Sequence, residues 1–158
     1  MKILFSIIFF FILKNLHSLE LRCNFEEVYQ DGTVQNGIFL LQNENLRYQY
    51  LDKNLYTIIN NYNGLFLVNN KNRLPQPLDA NKEIIEFLIK QSMLFPNNSD
   101  NYSSEYFNAK IINSKNDIFI KNMIIKSKKV NLNIHFFDCK KKSINRLMFN
   151  HNPLKNLE

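Results

Sequence analysis

The chain has 158 residues but only three glycines, four prolines, two cysteines, three histidines and no tryptophan. Three glycines leave no glycine-rich loop to cradle a phosphate. The histidine supply is thinner than its count, because His17 lies in a segment expected to be removed. His135, Asp138 and Cys139 are close in sequence, but on a strand His135 and Cys139 would share a face with their side chains well separated along it. Only the distant Cys23 could add a ligand, so no metal site is expected. No serine sits in a nucleophile-elbow pattern. Glu26 and Glu27 point to opposite faces of a strand and cannot work there as an acid–base pair. The chain therefore reads as a non-enzyme without cofactor. A membrane-crossing run is also missing: Ile3 to Leu13 is about a dozen apolar residues, against the roughly 20 a spanning helix needs.

What is present begins with an export signal. Lys2 supplies the positive start, Ile3 to Leu13 the apolar stretch and Ser18 a small residue for cleavage. An uncleaved anchor helix is the alternative, disfavoured because Lys14 ends the run early. Glu20 and Arg22 stand where a lipid-attachment signal needs small or aliphatic residues, so Cys23 reads as unlipidated. Residues 19–158 then form a single exported domain, large enough for one core. The formal charge is +6, of which Lys2 and Lys14 contribute two. The remaining excess lies in Lys126, Lys128, Lys129 and Lys140 to Lys142, read as solvated turns or as contacts to an anionic membrane surface or an acidic partner protein. Nucleic acid is not an expected partner of an exported protein. Cys23 and Cys139 are either a disulfide tying the two ends of the domain together or two buried free thiols.

Residues 23–70 read as a meander of short strands separated by turns of Asn, Asp and Gly, with no room for a helix between them. Strands are expected at Leu21–Gln30, Gly37–Gln42, Leu46–Leu51, Leu55–Asn60 and Leu65–Asn69. Ile38 to Leu41 is continuously apolar, which requires cover on both faces. Pro75 and Pro77 are expected to end the sheet. Asp79 reads as the N-cap of an amphipathic helix whose apolar side carries Ile84, Ile85, Leu88, Ile89 and Met93, and which stops before Pro96. Lys82, Glu83, Glu86, Lys90 and Gln91 cover its other side. The helix is either packed permanently on the sheet or a lid that moves. Asn97 to Ser104 reads as a loop; strands return at Tyr106–Ile112, Ile118–Ile125, Leu132–Phe137 and Ile144–Phe149. The fold class is mainly β, α+β: a curved antiparallel sheet with one lid-like helix.

Aromatics are plentiful, with 14 Phe and 7 Tyr. Several lie on strands already rich in Ile and Leu. Such a surplus fits either an aromatic core or a concave apolar trough for a lipid.

The order of these elements resembles the periplasmic lipoprotein carrier (LolA) family. The resemblance rests on Phe25 to Gly37 with its Asp-Gly turn, on Leu46-Arg47-Tyr48-Gln49-Tyr50 followed by Ile58-Ile59 and Leu65-Phe66, and on Ile144 to Phe149 followed by Pro153. It implies an unclosed β-barrel with a helical lid over an apolar cavity, and candidate lining residues Phe39, Leu41, Leu46, Tyr48, Tyr50, Phe66 and Val68. The chain departs from the family pattern in three places. The helix before the first strand is missing, Asn43-Glu44 replaces a basic-Pro turn, and Asn61-Tyr62 replaces an Asp-Gly. Arg47 is retained, with an outward-facing structural role. The resemblance implies a periplasmic carrier, monomeric, of lipid acyl chains or lipoproteins, passing them among membrane-bound release or receptor proteins. The alternative is an envelope interaction domain whose cavity is filled by side chains.

Overall fold

The turns of the first half are built from side chains that replace backbone hydrogen bonds. The Asp31 carboxylate accepts from the Thr33 N–H at 2.9 Å, and Gly32 follows it at φ 84°. Asn43 takes φ 55° in the next turn. In the turn at residues 61–64, the Asn61 carboxamide oxygen accepts from the Asn63 N–H at 2.8 Å, just before Gly64 at φ 124°. Asp and Asn suit these positions because their short polar side chains bond locally and tolerate left-handed backbone.

The molecule is a computed structural model describing residues 20–79, 81–113, 117–128 and 130–151. The expected signal segment, Lys129 and Pro153 lie outside the described residues. The elements in order are β1 (Glu20–Tyr29), β2 (Val34–Gln42), β3 (Asn45–Tyr50), β4 (Tyr56–Asn61), β5 (Gly64–Asn69), β6 (Pro75–Pro77), α1 (Lys82–Leu94), β7 (Asn101–Ser103), β8 (Phe107–Ile112), β9 (Asn122–Ser127) and β10 (Asn131–Lys141), followed by a 3-10 turn (Arg146–Phe149). The ten strands form one antiparallel sheet in the order β6-β5-β4-β3-β2-β1-β10-β9-β8-β7.

Two meanders therefore meet where the first and last strands pair, and β6 and β7 are the two unpaired edges. The sheet is not closed, as expected. Because α1 joins one edge to the other, the connection has to cross a face of the sheet. Its 13 residues span about 20 Å at 1.5 Å per residue. Crossing buries Phe87, Leu88 and Ile89 and makes that face the inner one. The Phe87 ring lies 4.5 Å from Tyr102 and 5.3 Å from Phe107, tying the helix to the β7–β8 edge.

Side-chain alternation assigns the faces. Leu21, Cys23, Phe25, Phe39, Leu41, Leu46, Tyr48, Met123, Ile125, Ile134 and Phe136 belong to one core with the helix. Leu40 and partly buried Ile38 belong to a second cluster on the outer face, covered by Ile144 and Phe149. This cover is why β2 is apolar on both sides.

The C-terminal segment differs from expectation. Ile144–Phe149 is not a strand, because β10 is already flanked by β1 and β9 and has no free side. Instead the Asn145 side chain accepts from the Leu147 N–H and starts the 3-10 turn. Arg47, outward-facing as expected, donates to the Met148 carbonyl at 2.9 Å, and Asn61 donates to the Phe149 carbonyl at 2.7 Å.

Other boundaries also move. Pro75–Pro77 does not end the sheet but adds β6, an edge strand where the missing proline N–H groups cost no partner. The helix is preceded by Asn81 at φ 60°, not capped by Asp79. Met93 is exposed, and Gln91 is buried because its side-chain oxygen accepts from the Ser99 N–H at 3.0 Å. Part of the loop 97–104 forms β7. The strand expected from Ile118 starts only at Asn122; Phe119 and Ile120 are instead 1% exposed, the Phe119 ring stacked at 5.3 Å on Phe39.

Cys23 and Cys139 form a disulfide across β1 and β10, with a sequence separation of 116. Arg22 pairs with Lys140 but Asn24 with Phe137, so two residues, Asp138 and Cys139, stand opposite Cys23. This bulge, with Asp138 at φ 51°, reverses the alternation along β10. Cys139 is thereby turned to the inner side, and His135 is left on the outer side, stacked on Phe137 at 5.7 Å. His135 and Cys139 do not share a face, contrary to the regular-strand expectation. The link joins the two meanders at the middle of the sheet.

Candidate functional site: an apolar cavity with a carboxylate in its wall

A cavity of about 310 Å³ lies between the first half of α1 and the inner face. Ile84, Ile85 and Leu88 form its roof. Ile58 of β4, Leu67 of β5, and Ile125, Leu132 and Ile134 of β9 and β10 form apolar walls. Larger hollows of about 530, 650 and 810 Å³ open elsewhere, but asparagine, serine, lysine and glutamate side chains contribute much of their walls. The apolar space under the helix is the better site for an aliphatic ligand.

One wall is polar. Glu27 is 3% exposed and carries three tyrosine hydroxyls on its carboxylate. Tyr48 donates to Oε1 at 2.6 Å; Tyr29 and Tyr50 donate to Oε2 at 2.6 and 2.8 Å. The register explains the grouping. Glu27 is on the inner side of β1, and Gly37 pairs with both Phe25 and Tyr50 across the two ladders of β2. Successive inner positions of β1 and β3 are thus brought over one another where β2 contributes no side chain. Burial, and then the charge of Glu27, hold the Tyr29, Tyr48 and Tyr50 hydroxyls well above their ordinary value of 10.0. They are donors throughout the neutral range. Glu27 was visible in the sequence only as one member of the Glu26-Glu27 pair; its inward face and its tyrosine partners are products of register.

The expected lining residues separate into three groups. Tyr48 and Tyr50 border the cavity, as do Ile84, Ile85 and Leu88 of the helix. Phe39, Leu41 and Leu46 are on the inner face but fully buried, and Ile89 is buried beside them in the same packed core. Phe39 is enclosed by Tyr48, Phe119 and Phe136 at ring distances of 6.3, 5.3 and 5.3 Å. Phe66 and Val68 are on the outer face and do not line the cavity. Phe66 pairs with Ile59 and Val68 with Thr57, whereas the inner register runs Tyr48–Ile58–Leu67. Phe66 instead stacks on His151 at 4.1 Å.

The basic residues divide as well. Lys126 and Lys128 precede β10, and Lys140 to Lys142 end it, so that about 30 Å of strand separates the groups. They do not form one patch.

No family model and no curated protein matches the sequence. Among solved structures the fold is similar to that of a LolA superfamily protein, NE2245, from Nitrosomonas europaea. The likeness has a TM-score of 0.51 at 10% identity and covers 83% of this chain and 90% of that one. It shows a LolA-like fold.

Proposed function

We propose that this protein is a periplasmic carrier or binding protein for lipid acyl chains, acting non-covalently between envelope membranes. The carrying observation is the apolar cavity of about 310 Å³ roofed by Ile84, Ile85 and Leu88 over the inner face. Burial of an aliphatic chain there is favoured by about 0.8 kcal/mol per methylene. The LolA-like fold supports the reading, since it is one in which a helix lies over an unclosed sheet. The Cys23–Cys139 disulfide supports an exported setting, because such links persist in oxidising compartments. Loading requires the first half of α1 to lift from the sheet. Ile84 and Ile85 are only partly buried there, whereas Phe87, Leu88 and Ile89 anchor the second half. The protein works as a monomer, passes its cargo among membrane-bound partners, and catalyses no reaction.

The size of the cavity narrows the cargo. Phe39, Phe119 and Phe136 fill the inner face beyond Tyr48, so the space is at the lower end of the roughly 300–1,000 Å³ of ligand sites. It suits one chain rather than the several of a whole lipoprotein. That same filling favours, as a second reading, an envelope interaction domain that retains the fold without a cargo.

Native mass spectrometry of the protein purified from the envelope fraction, with lipid extraction of the same sample, separates the two. Stoichiometric co-purifying lipid that is lost on Leu67→Glu supports the carrier. A homogeneous lipid-free mass that also takes up no added single-chain amphiphile, whether acid, alcohol or amine, overturns it.

A further inference from the structure

Glu27 is the one charged side chain among the described residues that line the cavity, and no lysine or arginine faces it there. Its three tyrosine partners direct their hydroxyl hydrogens at it. A carboxylate has about four lone-pair sites. Oε2 accepts from Tyr29 and Tyr50, whereas Oε1 accepts from Tyr48 alone, one donor short of its two lone pairs. The phenol oxygens retain acceptor capacity but have no hydrogen left to give. The wall around Glu27 is therefore negative and bordered by aromatic rings; Asn81 and Tyr56, which also line the cavity, carry donors but no charge. A carboxylate or phosphate placed against Glu27 would meet a like charge. A cationic donor would gain a charge-assisted hydrogen bond and the faces of tyrosine rings.

We propose that the cavity takes a single-chain amphiphile ending in a protonated amine. The ammonium sits on Glu27 Oε1 beside the rings of Tyr48 and Tyr50, and the chain runs beneath Ile84, Ile85 and Leu88. This rests on the acyl-chain reading above and names the polar end that the site selects. At roughly 30 Å³ for each water-sized group, the volume corresponds to about ten such groups. A ten-carbon chain is therefore the matched probe.

The test is calorimetric titration of the oxidised, purified protein at neutral pH with n-decylammonium, n-decanol and n-decanoate, each below its micellar concentration. The positive charge that remains without Lys2 and Lys14 would by itself draw the anion. A preference for the cation must therefore come from the cavity. The expected result is n-decylammonium binding tighter than n-decanoate on the order of tenfold or more, with n-decanol between them. Glu27→Gln is expected to abolish that gap while n-decanol still binds. Equal or tighter binding of n-decanoate by the unmodified protein overturns the ammonium proposal and leaves the acyl-chain reading standing. Absence of binding by all three overturns both. The unmodified protein decides the preference, so a failure of E27Q to fold does not remove the test.

Discussion

Gly37 stands directly opposite Phe25 in the β1–β2 ladder, and the Phe25 ring occupies the space that a side chain at Gly37 would need. The ring lies on Tyr48 with centroids 3.9 Å apart and planes 24° apart, and it meets the edge of Tyr50 at 5.6 Å. The aromatic wall behind the Glu27 cluster thus depends on a missing Cβ on β2. A methyl group at Gly37 would overlap both the Phe25 ring and the backbone carbonyl of Gln49, and backbone has no rotamer in which to escape.

Gly37→Ala is therefore expected to destabilise the protein by about 3 kcal/mol, at the upper end of overpacking costs. Urea denaturation followed by far-ultraviolet circular dichroism checks this. A midpoint unchanged from the parent would mean that Phe25 and β3 can shift without cost.

The disulfide holds the centre of the sheet, because β1 and β10 are the strands through which the two meanders meet. Replacing Cys23 and Cys139 together by serine is expected to cost about 2–5 kcal/mol, mostly through the longer loop freed in the unfolded chain. The parent should lose the same stability on reduction, whereas the double variant should not respond to reductant. Equal melting temperatures for oxidised and reduced parent would contradict the expectation.

The tyrosine cluster predicts a steep alkaline limb in stability. Tyr48 and Tyr50 are held well above 10.0 in the folded state, by burial first and by Glu27 second. As pH rises past 10 the unfolded chain loses these protons before the folded one does. Stability is then fully present below pH 10 and falls above it, by about 1.4 kcal/mol per pH unit for each such tyrosine. Tyr50→Phe should make the fall shallower, read from denaturation midpoints between pH 9 and 11. An identical slope in parent and variant would remove Tyr50 from the account.

The two faces of β5 should respond differently to a charge. Leu67→Glu places a carboxylate in the cavity wall and is expected to weaken fatty-acid probe binding at least tenfold, given the cost of an unpaired buried charge. Phe66→Glu acts on the outer face, where the ring stacks on His151, and is expected to leave binding within about twofold while lowering stability by about 1 kcal/mol. Fluorescence titration measures both. The reverse order of effects would show that the inner register is misassigned.

Several elements were legible because they depend on local pattern. Asp31-Gly32 and the Asn-rich turns placed the meander, the helical spacing of Ile84, Ile85 and Leu88 placed α1, and the double-sided apolarity of β2 announced two covered faces. Where expectation failed, a distant partner intervened. Ile144–Phe149 has strand-like composition, yet β10 has both sides occupied and Arg47 and Asn61 hold the segment as a 3-10 turn. Phe66 and Val68 looked as suitable for a cavity as Leu67. Choosing between odd and even positions on β5 requires the register through β4 to Tyr48, and a slip of one residue exchanges the faces. His135 and Cys139 have the spacing of one face, but the bulge at Asp138 reverses the alternation between them.

Legible from the residues alone are the antiparallel meanders, α1 and the apolar positions on each element. These follow from turn chemistry and from periods of two and 3.6 residues, which nearby residues set. The tertiary structure alone decided that β1 and β10 lie side by side and let Cys23 reach Cys139. It also decided that Phe39 is packed while Tyr50 borders a void, and that three tyrosines converge on Glu27. Each of these is a meeting of residues from different strands, governed by pairing order and register rather than by any local preference of the chain.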